Sequence, residues 1–313
     1  MSGFRGTADA ALRRAILLAA ASGSLRRLVD RYGLRLGARR FVAGETLDEC
    51  VAVLRSLNEH GFHANTTILG ESVTDEREAR RAAGEYETVL ERLVAERLRA
   101  NVALKLTHLG LELDEELAYA NVARVVDRAA ALGTFVRIDM EHSAVVDATL
   151  RIYRRLREGG RDNVGAVLQS YLYRSDDDLR ALLPLRPNLR FVKGAYLEPP
   201  SVAYPDRRDV DEAFVRLVEA ALDGGAYAAV ATHDERLIER ILAFARGRRL
   251  GPDRFELQLL YGVRPRLQRE LLDRGFKVLI ATPYGPEWYP YLMRRLAERP
   301  ANVLFLVRSL LAG

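Results

Sequence analysis

The 313-residue chain reads as an α/β protein of the (β/α)₈ barrel class with an N-terminal helical extension, and three observations predict it. Eight short apolar runs recur along the sequence, each followed by an amphipathic stretch, which is the pattern of parallel βα units. Eight such units are the number that closes a parallel sheet on itself. Long loops and Pro/Gly-rich linkers are lacking, so the length suits one large domain and calls for no second.

Residues 1–45 are expected as a helical segment, with Leu12, Ile16, Leu17 and Ala20 at helical spacing. The stretch "ALRRAILLAAASGS" imitates a weak signal peptide, but the polar chain continues unbroken beyond it and an amphipathic helix is preferred. The barrel is then expected over residues 46–313. Its first strand is "HANTTIL" (63–69) and its second "NVALKLTH" (101–108). In the second, Val102, Leu104 and Leu106 share the parity that faces the helices, whereas Ala103, Lys105 and Thr107 face the barrel axis. In the third, "TFVRIDME" (134–141), the inward set is Arg137, Asp139 and Glu141. Branched apolar side chains usually fill that space. Buried charges are costly unless paired, so these are expected to neutralise one another or a ligand. A purely structural charged core is the lesser alternative.

The remaining strands are "VGAVLQSY" (164–171), "LRFVKGAY" (189–196), "YAAVATH" (227–233), "FELQLLYG" (255–262) and "KVLIATPY" (277–284). Polar residues collect near their C-terminal ends: Gln169, Tyr196, Thr232, His233, Asp234, Gln258, Tyr261 and Tyr284. One polar strand end is ordinary solvation, but agreement among so many marks the face where barrel enzymes build their sites. After the eighth strand, "ATPYGPEWYPYLMRRLAER" (281–299) places Tyr291, Arg294, Arg295 and Glu298 on one helical face. With no G-x-G phosphate loop beside them, two guanidiniums at that rim suit a clamp for a planar carboxylate. A last helix is expected around 301–312.

Composition narrows the classes. Of 48 Lys+Arg residues only Lys105, Lys193 and Lys277 are lysines, so the three merit individual scrutiny. A net charge of +5, scattered rather than massed into a stripe, disfavours nucleic-acid binding. A single cysteine, Cys50, allows no internal disulfide and no cysteine metal site, which fits a reducing, cytoplasmic setting. No apolar run reaches the roughly 18 residues that crossing a membrane requires.

The segments "ILGES", "LKLTHLG", "FVRIDMEH", "VLQSYLYRS", "LRFVKGAYLEP", "ATHDERLI", "FELQLLYG" and "PYGPEWYPYLMRRLAER" follow one another as they do in bacterial monofunctional proline dehydrogenases. From about residue 40 to the C-terminus the chain resembles that family. The resemblance implies a distorted barrel carrying non-covalent FAD, oxidation of L-proline to Δ1-pyrroline-5-carboxylate, and a membrane quinone as electron acceptor. Contact with the inner face of the membrane would be peripheral, and a separate pyrroline-5-carboxylate dehydrogenase would consume the product. It assigns the carboxylate to Arg294, Arg295 and Lys105, with Glu71 pairing to an arginine of the clamp. Asp139 would sit beside Lys105 and the substrate, and Tyr196, Leu260 and Tyr291 would pack on its ring. Catalytic roles fall to Asp139, Arg190 and Lys105. FAD would lie against Met140, Gln169, Arg190, Val192, Lys193, Gly194, Thr232 and His233, and no metal is implied.

Two positions depart from the family pattern. A tyrosine is expected where the chain has Ala281, and an aspartate where it has Thr67. A roomier pocket for 4-hydroxyproline or another cyclic or N-alkyl amino acid would follow, with neutral divergence as the alternative. Two further classes compete: a Schiff-base aldolase using Lys105 or Lys193, and a non-catalytic barrel that binds an amino acid.

Overall fold

A computed structural model describes residues 40–289 and 291–293. Eight parallel strands pair in sequence order and the eighth returns to the first, closing the barrel. They are β1 (His63–Ile68), β2 (Ala100–Leu104), β3 (Val136–Ile138), β4 (Val164–Gln169), β5 (Asn188–Val192), β6 (Tyr227–Ala231), β7 (Phe255–Leu260) and β8 (Val278–Tyr284). Every one lies within, or within one residue of, the run that foretold it.

The helices are α1 (Leu47–Glu59), α2 (Glu76–Ala95), α3 (Glu115–Ala131), α4 (Val146–Glu158), α5 (Ser175–Leu182), α6 (Arg207–Asp223), α7 (Glu235–Gly247) and α8 (Pro265–Asp273). Aspartates start four of them: the side chains of Asp75, Asp114, Asp206 and Asp234 each accept from a backbone N–H of the first turn. Thr46 and Glu49 form a reciprocal capping box at the start of α1. The core lies between the helices and the outer face of the sheet, where Leu104, Ile138, Phe191 and Phe214 are fully buried.

Two features depart from a regular barrel. First, α1 packs against both β8 and β1, taking the outer position that a helix following β8 would otherwise fill. Cys50 therefore belongs to the barrel wall, where its thiol meets the Thr66 hydroxyl at 3.2 Å. Second, residues 41–45 are not helical. They run across the C-terminal end of β8, with Ala43 N donating to Pro283 O at 2.9 Å and Gly285 N to Gly44 O at 3.0 Å. Trp288 is buried over this arm and its indole N–H donates to Glu45 at 2.9 Å. The rest of the expected N-terminal segment, the helix around 301–312, and Arg294, Arg295 and Glu298 lie outside the described residues.

Seven of the eight strands end before their runs do, and two of these early ends shape the site. Past Leu104 the chain winds into a single 3₁₀ turn at Thr107–Leu109, closed by Gly110 in the left-handed region at φ 98°. Past Ile138 it leaves the sheet for Asp139–Glu141, although Asp139 N still donates to Leu104 O at 2.8 Å. Lys105 and Asp139 thus stand at the rim rather than within strands.

Candidate active site

The site grows from side chains that alternate into the barrel. Arg190, on β5, is buried and occupies the centre. Its Nη1 donates to Asp139 Oδ1 at 2.6 Å, its Nε to Gln258 Oε1 at 2.6 Å and its Nη2 to Asn65 Oδ1 at 3.0 Å. These partners come from β1, from just past β3 and from β7. They form one layer of alternate strands, the arrangement that packs a barrel interior, here built from polar groups. Charge-assisted contacts on three sides fix the planar guanidinium.

A second ion pair lies at the rim, where Lys105 Nζ bonds to Glu71 with side chains 16% and 29% exposed. The Glu71 loop is braced from below. Ser72 N approaches Thr107 Oγ1 at 3.4 Å, and Thr107 donates through its N–H (3.1 Å) and hydroxyl (2.6 Å) to the buried Glu141. Burial raises the Glu141 pKa, and the hydrogen bonds from Thr107 only partly oppose this. Beside the loop, a Cβ at Gly70 would stand 2.7 Å from His108 Nε2. Burial first, then the Lys105 charge, lowers the His108 pKa to about 4.

The β4–β6 rim carries the residues expected to hold a cofactor. Gln169 is buried and donates to the Glu141 carbonyl at 2.9 Å. Lys193 bonds to Asp211 and lies 3.6 Å from Asp234. Gly194 has φ 121°, and a Cβ there would stand 2.3 Å from the Tyr171 ring, so only glycine fits. Thr232 Oγ1 accepts from Asp234 N at 3.2 Å, and His233 Nε2 accepts from Leu260 N at 3.0 Å. Val192 is half-buried at the end of β5, and Met140 is buried in the hydrophobic core. The Tyr196 ring meets His142 edge-on at 6.1 Å, and Tyr291 is half-buried.

The inward parity of Lys105, Arg137 and Asp139 holds, and two of the three are ion-paired. Asp139 bonds to Arg190, and among the described residues Glu71 pairs with Lys105, whereas the clamp arginines expected to meet Glu71 lie outside those residues. Among the described residues Arg137 has no carboxylate partner. It donates to the carbonyls of Ala166 (3.1 Å) and Asn188 (2.8 Å), and burial with the nearby Arg190 charge brings its pKa down to about 10. Asn65 and Glu256 were not foreseen as part of the site. The signal was available, because Asn65 shares parity with Thr67 in "HANTTIL", as Glu256 does with Gln258 in "FELQLL".

A closed parallel barrel with a cation held at its centre and charged groups around its C-terminal rim defines a (β/α)₈-barrel enzyme. The chain belongs to the proline dehydrogenase family, whose model matches residues 50–308. It is 40% identical over 300 residues to proline dehydrogenase 1 of Bacillus subtilis (strain 168), covering 96% of this chain and 99% of that one. It is also 40% identical over 309 residues to the proline dehydrogenase of Deinococcus radiodurans, covering 97% and 99%. Among solved structures, proline utilization A (PutA) from Bdellovibrio bacteriovorus, inactivated by N-propargylglycine, is similar with a TM-score of 0.80 at 22% identity. The match covers 88% of this chain but only 34% of that one, and at such identity the likeness is one of fold.

Proposed function

We propose that this chain oxidises L-proline to Δ1-pyrroline-5-carboxylate with FAD as hydride acceptor, and that a membrane quinone takes the electrons. The observation that carries the reading is the pair of charged contacts at the rim, Arg190 with Asp139 and Lys105 with Glu71, in a chain of this family. Family membership also weighs against the aldolase and the non-catalytic barrel.

The donor set fits a flavin nucleotide. Arg190 and Lys193 supply positive charge, Gln169, Thr232 and His233 supply polar edges, and the bare backbone at Gly194 permits close approach. When bound, FAD supplies an acceptor for the hydride that leaves proline C5. The residues would then divide the work. Lys105, joined by resemblance by Arg294 and Arg295, holds the substrate carboxylate, which leaves the ring nitrogen and C5 directed inward. Asp139 and Arg190 hold the field across the reacting edge, where a guanidinium stabilises negative charge as it develops. The ring nitrogen gives up one proton first, since its lone pair must be free to expel the hydride. Tyr196, Leu260 and Tyr291 would pack against the ring and exclude water.

A second reading is favoured by one observation. Ala281 pairs in register with the inward-facing Asn65 and so lines the lumen, half-buried, with only a methyl group. A substituted ring such as 4-hydroxyproline would find space there. Anaerobic flavin reduction with L-proline, trans-4-hydroxy-L-proline, pipecolate and N-methyl amino acids tests both readings. Bleaching by proline alone supports the first, whereas bleaching by another of these and not by proline replaces it. A colourless protein that takes up no FAD defeats both.

Among the described residues no helix is long and apolar enough to cross a membrane. We place the chain in the cytoplasm, meeting the quinone by peripheral contact with the membrane's inner face. A separate pyrroline-5-carboxylate dehydrogenase would take the product. A relative in Escherichia coli is named bifunctional protein PutA, and this chain aligns with 26% of it. The barrel domain is proposed to run from residue 46 to 313.

A further inference from the structure

Below Arg190 the polar contacts continue to the floor of the barrel. Gln258 accepts from Arg190 Nε and, through its own Nε2, donates to Glu256 Oε1 at 2.5 Å. Glu256 also accepts from the Tyr227 hydroxyl at 3.0 Å and meets Lys277 Nζ at 2.8 Å. Gln258 and Glu256 are 3% and 4% exposed. The charges therefore alternate up the lumen from Lys277 to Glu256 and, across the neutral amide of Gln258, to Arg190 and Asp139.

An amide between a carboxylate and a guanidinium has one favourable orientation, oxygen toward the cation and NH₂ toward the anion. Glu256 thus fixes Gln258, and Gln258 fixes the edge of Arg190 opposite Asp139. Neither residue is placed against substrate or cofactor in the reading above. Two buried polar groups that together with Lys277 form a charge-alternating column are costly unless every member is satisfied. An apolar layer would fill the same space without that cost.

We propose that Gln258, oriented by Glu256 and Lys277, is the positioning residue that sets the guanidinium plane of Arg190, and through it Asp139, for the reaction. The proposal rests on the functional reading above, in which Arg190 serves the reacting edge.

The test is a double-mutant cycle on the flavin-loaded enzyme with Gln258→Leu and Arg190→Lys. Gln258→Leu alone should lower kcat roughly ten- to a hundredfold, the range spanned by a hydrogen bond to a charged group. KM should stay within about threefold, since the carboxylate contacts are untouched. The midpoint potential of the bound flavin should become more negative as the cation loses its place, a readout that packing alone would not move. In the Arg190→Lys background the Gln258 change should cost less than about threefold, because its target is already gone.

Losses that multiply, or a folded Gln258→Leu enzyme with wild-type kcat and potential, overturn the proposal. Should Gln258→Leu fail to fold, Gln258→Glu decides. Between Glu256 and Arg190, with Tyr227, Lys277 and Arg137 acting on Glu256, the new carboxyl must share one proton with Glu256 to keep the order of donors and acceptors. Its kcat should then approach wild type at low pH and fall as pH rises relative to the wild-type profile. A profile parallel to wild type overturns the proposal. A wild-type chain that binds no flavin or leaves proline unoxidised instead overturns the functional reading itself, which keeps the two failures apart.

Discussion

Replacing Lys105 by methionine tests whether the rim ion pair serves the substrate carboxylate. A charge-assisted contact of this kind is worth roughly 1.5–3 kcal/mol, about ten- to a hundredfold in KM. The structure places the effect in the lower part of that range. Lys105 is already bonded to Glu71, and an incoming carboxylate receives only the ammonium N–H groups that Glu71 leaves. Methionine also takes the Lys105 charge away from the partly buried Glu71 carboxylate, which faces a substrate of the same sign, and this adds repulsion. Lys105→Met is therefore expected to raise KM about ten- to thirtyfold, with kcat changed by less than about threefold. Glu71→Gln in that background should recover part of the loss by removing the repelling charge. Steady-state kinetics with L-proline and a soluble electron acceptor reads all three variants. An unchanged KM in Lys105→Met, or a double variant worse than the single one, would refute the reasoning and return the pair to a structural role.

Three further outcomes follow from the geometry. Gly194→Ala sets a Cβ 2.3 Å from the Tyr171 ring at φ 121°, so the variant should lose roughly 1–3 kcal/mol of stability and bind flavin weakly. Thermal melts and FAD content check it, and wild-type values for both would show that the rim yields freely. The His108 imidazole titrates at about 4 when folded against 6.5 as the ordinary value, so between these pH values the unfolded chain binds more protons. Stability from this group is complete above pH 6.5 and is lost as pH falls toward 4, by up to about 3 kcal/mol; His108→Gln should flatten that limb in urea unfolding, and an unchanged slope would contradict it. Burial pushes the Cys50 thiol up to about 12, offset only in part by Thr66, so native protein at pH 8 should resist alkylation and react stoichiometrically in denaturant. Rapid labelling of the folded chain would count against a buried Cys50.

The strands were legible because a buried parallel sheet leaves near-continuous apolar runs, and β4 and β6 begin at the residue where their runs begin. Their inward parity was legible too, since alternation needs no knowledge of neighbours. Strand ends were less so. "NVALKLTH" reads as one strand, yet the sheet releases it at Leu104, where Thr107 turns to serve Glu141. The arm at 41–45 was read as helix because helical spacing upstream gives no sign of where a backbone begins to follow β8.

Pairing was the least legible property, for a physical reason. Parity places Asp139, Arg137 and Lys105 in the same lumen but does not fix which charge meets which, because that depends on height along tilted strands. Asp139 and Lys105 leave neighbouring strands, and the family resemblance puts them side by side. The bonds themselves run from Asp139 to Arg190, two strands on, and from Lys105 to Glu71 on the loop after β1. Arg137 lies a layer lower and donates to two backbone carbonyls and the Asn188 amide oxygen, with no carboxylate among the described residues. The division has a functional consequence. A cation held on three sides by Asp139, Gln258 and Asn65 is fixed before any ligand arrives, as stabilisation of developing charge requires. A cation held by one carboxylate on a loop can share its donors with a ligand, as carboxylate capture requires. Arg190 and Lys105 carry the same charge into the same space, and the number of contacts each already has separates their proposed roles.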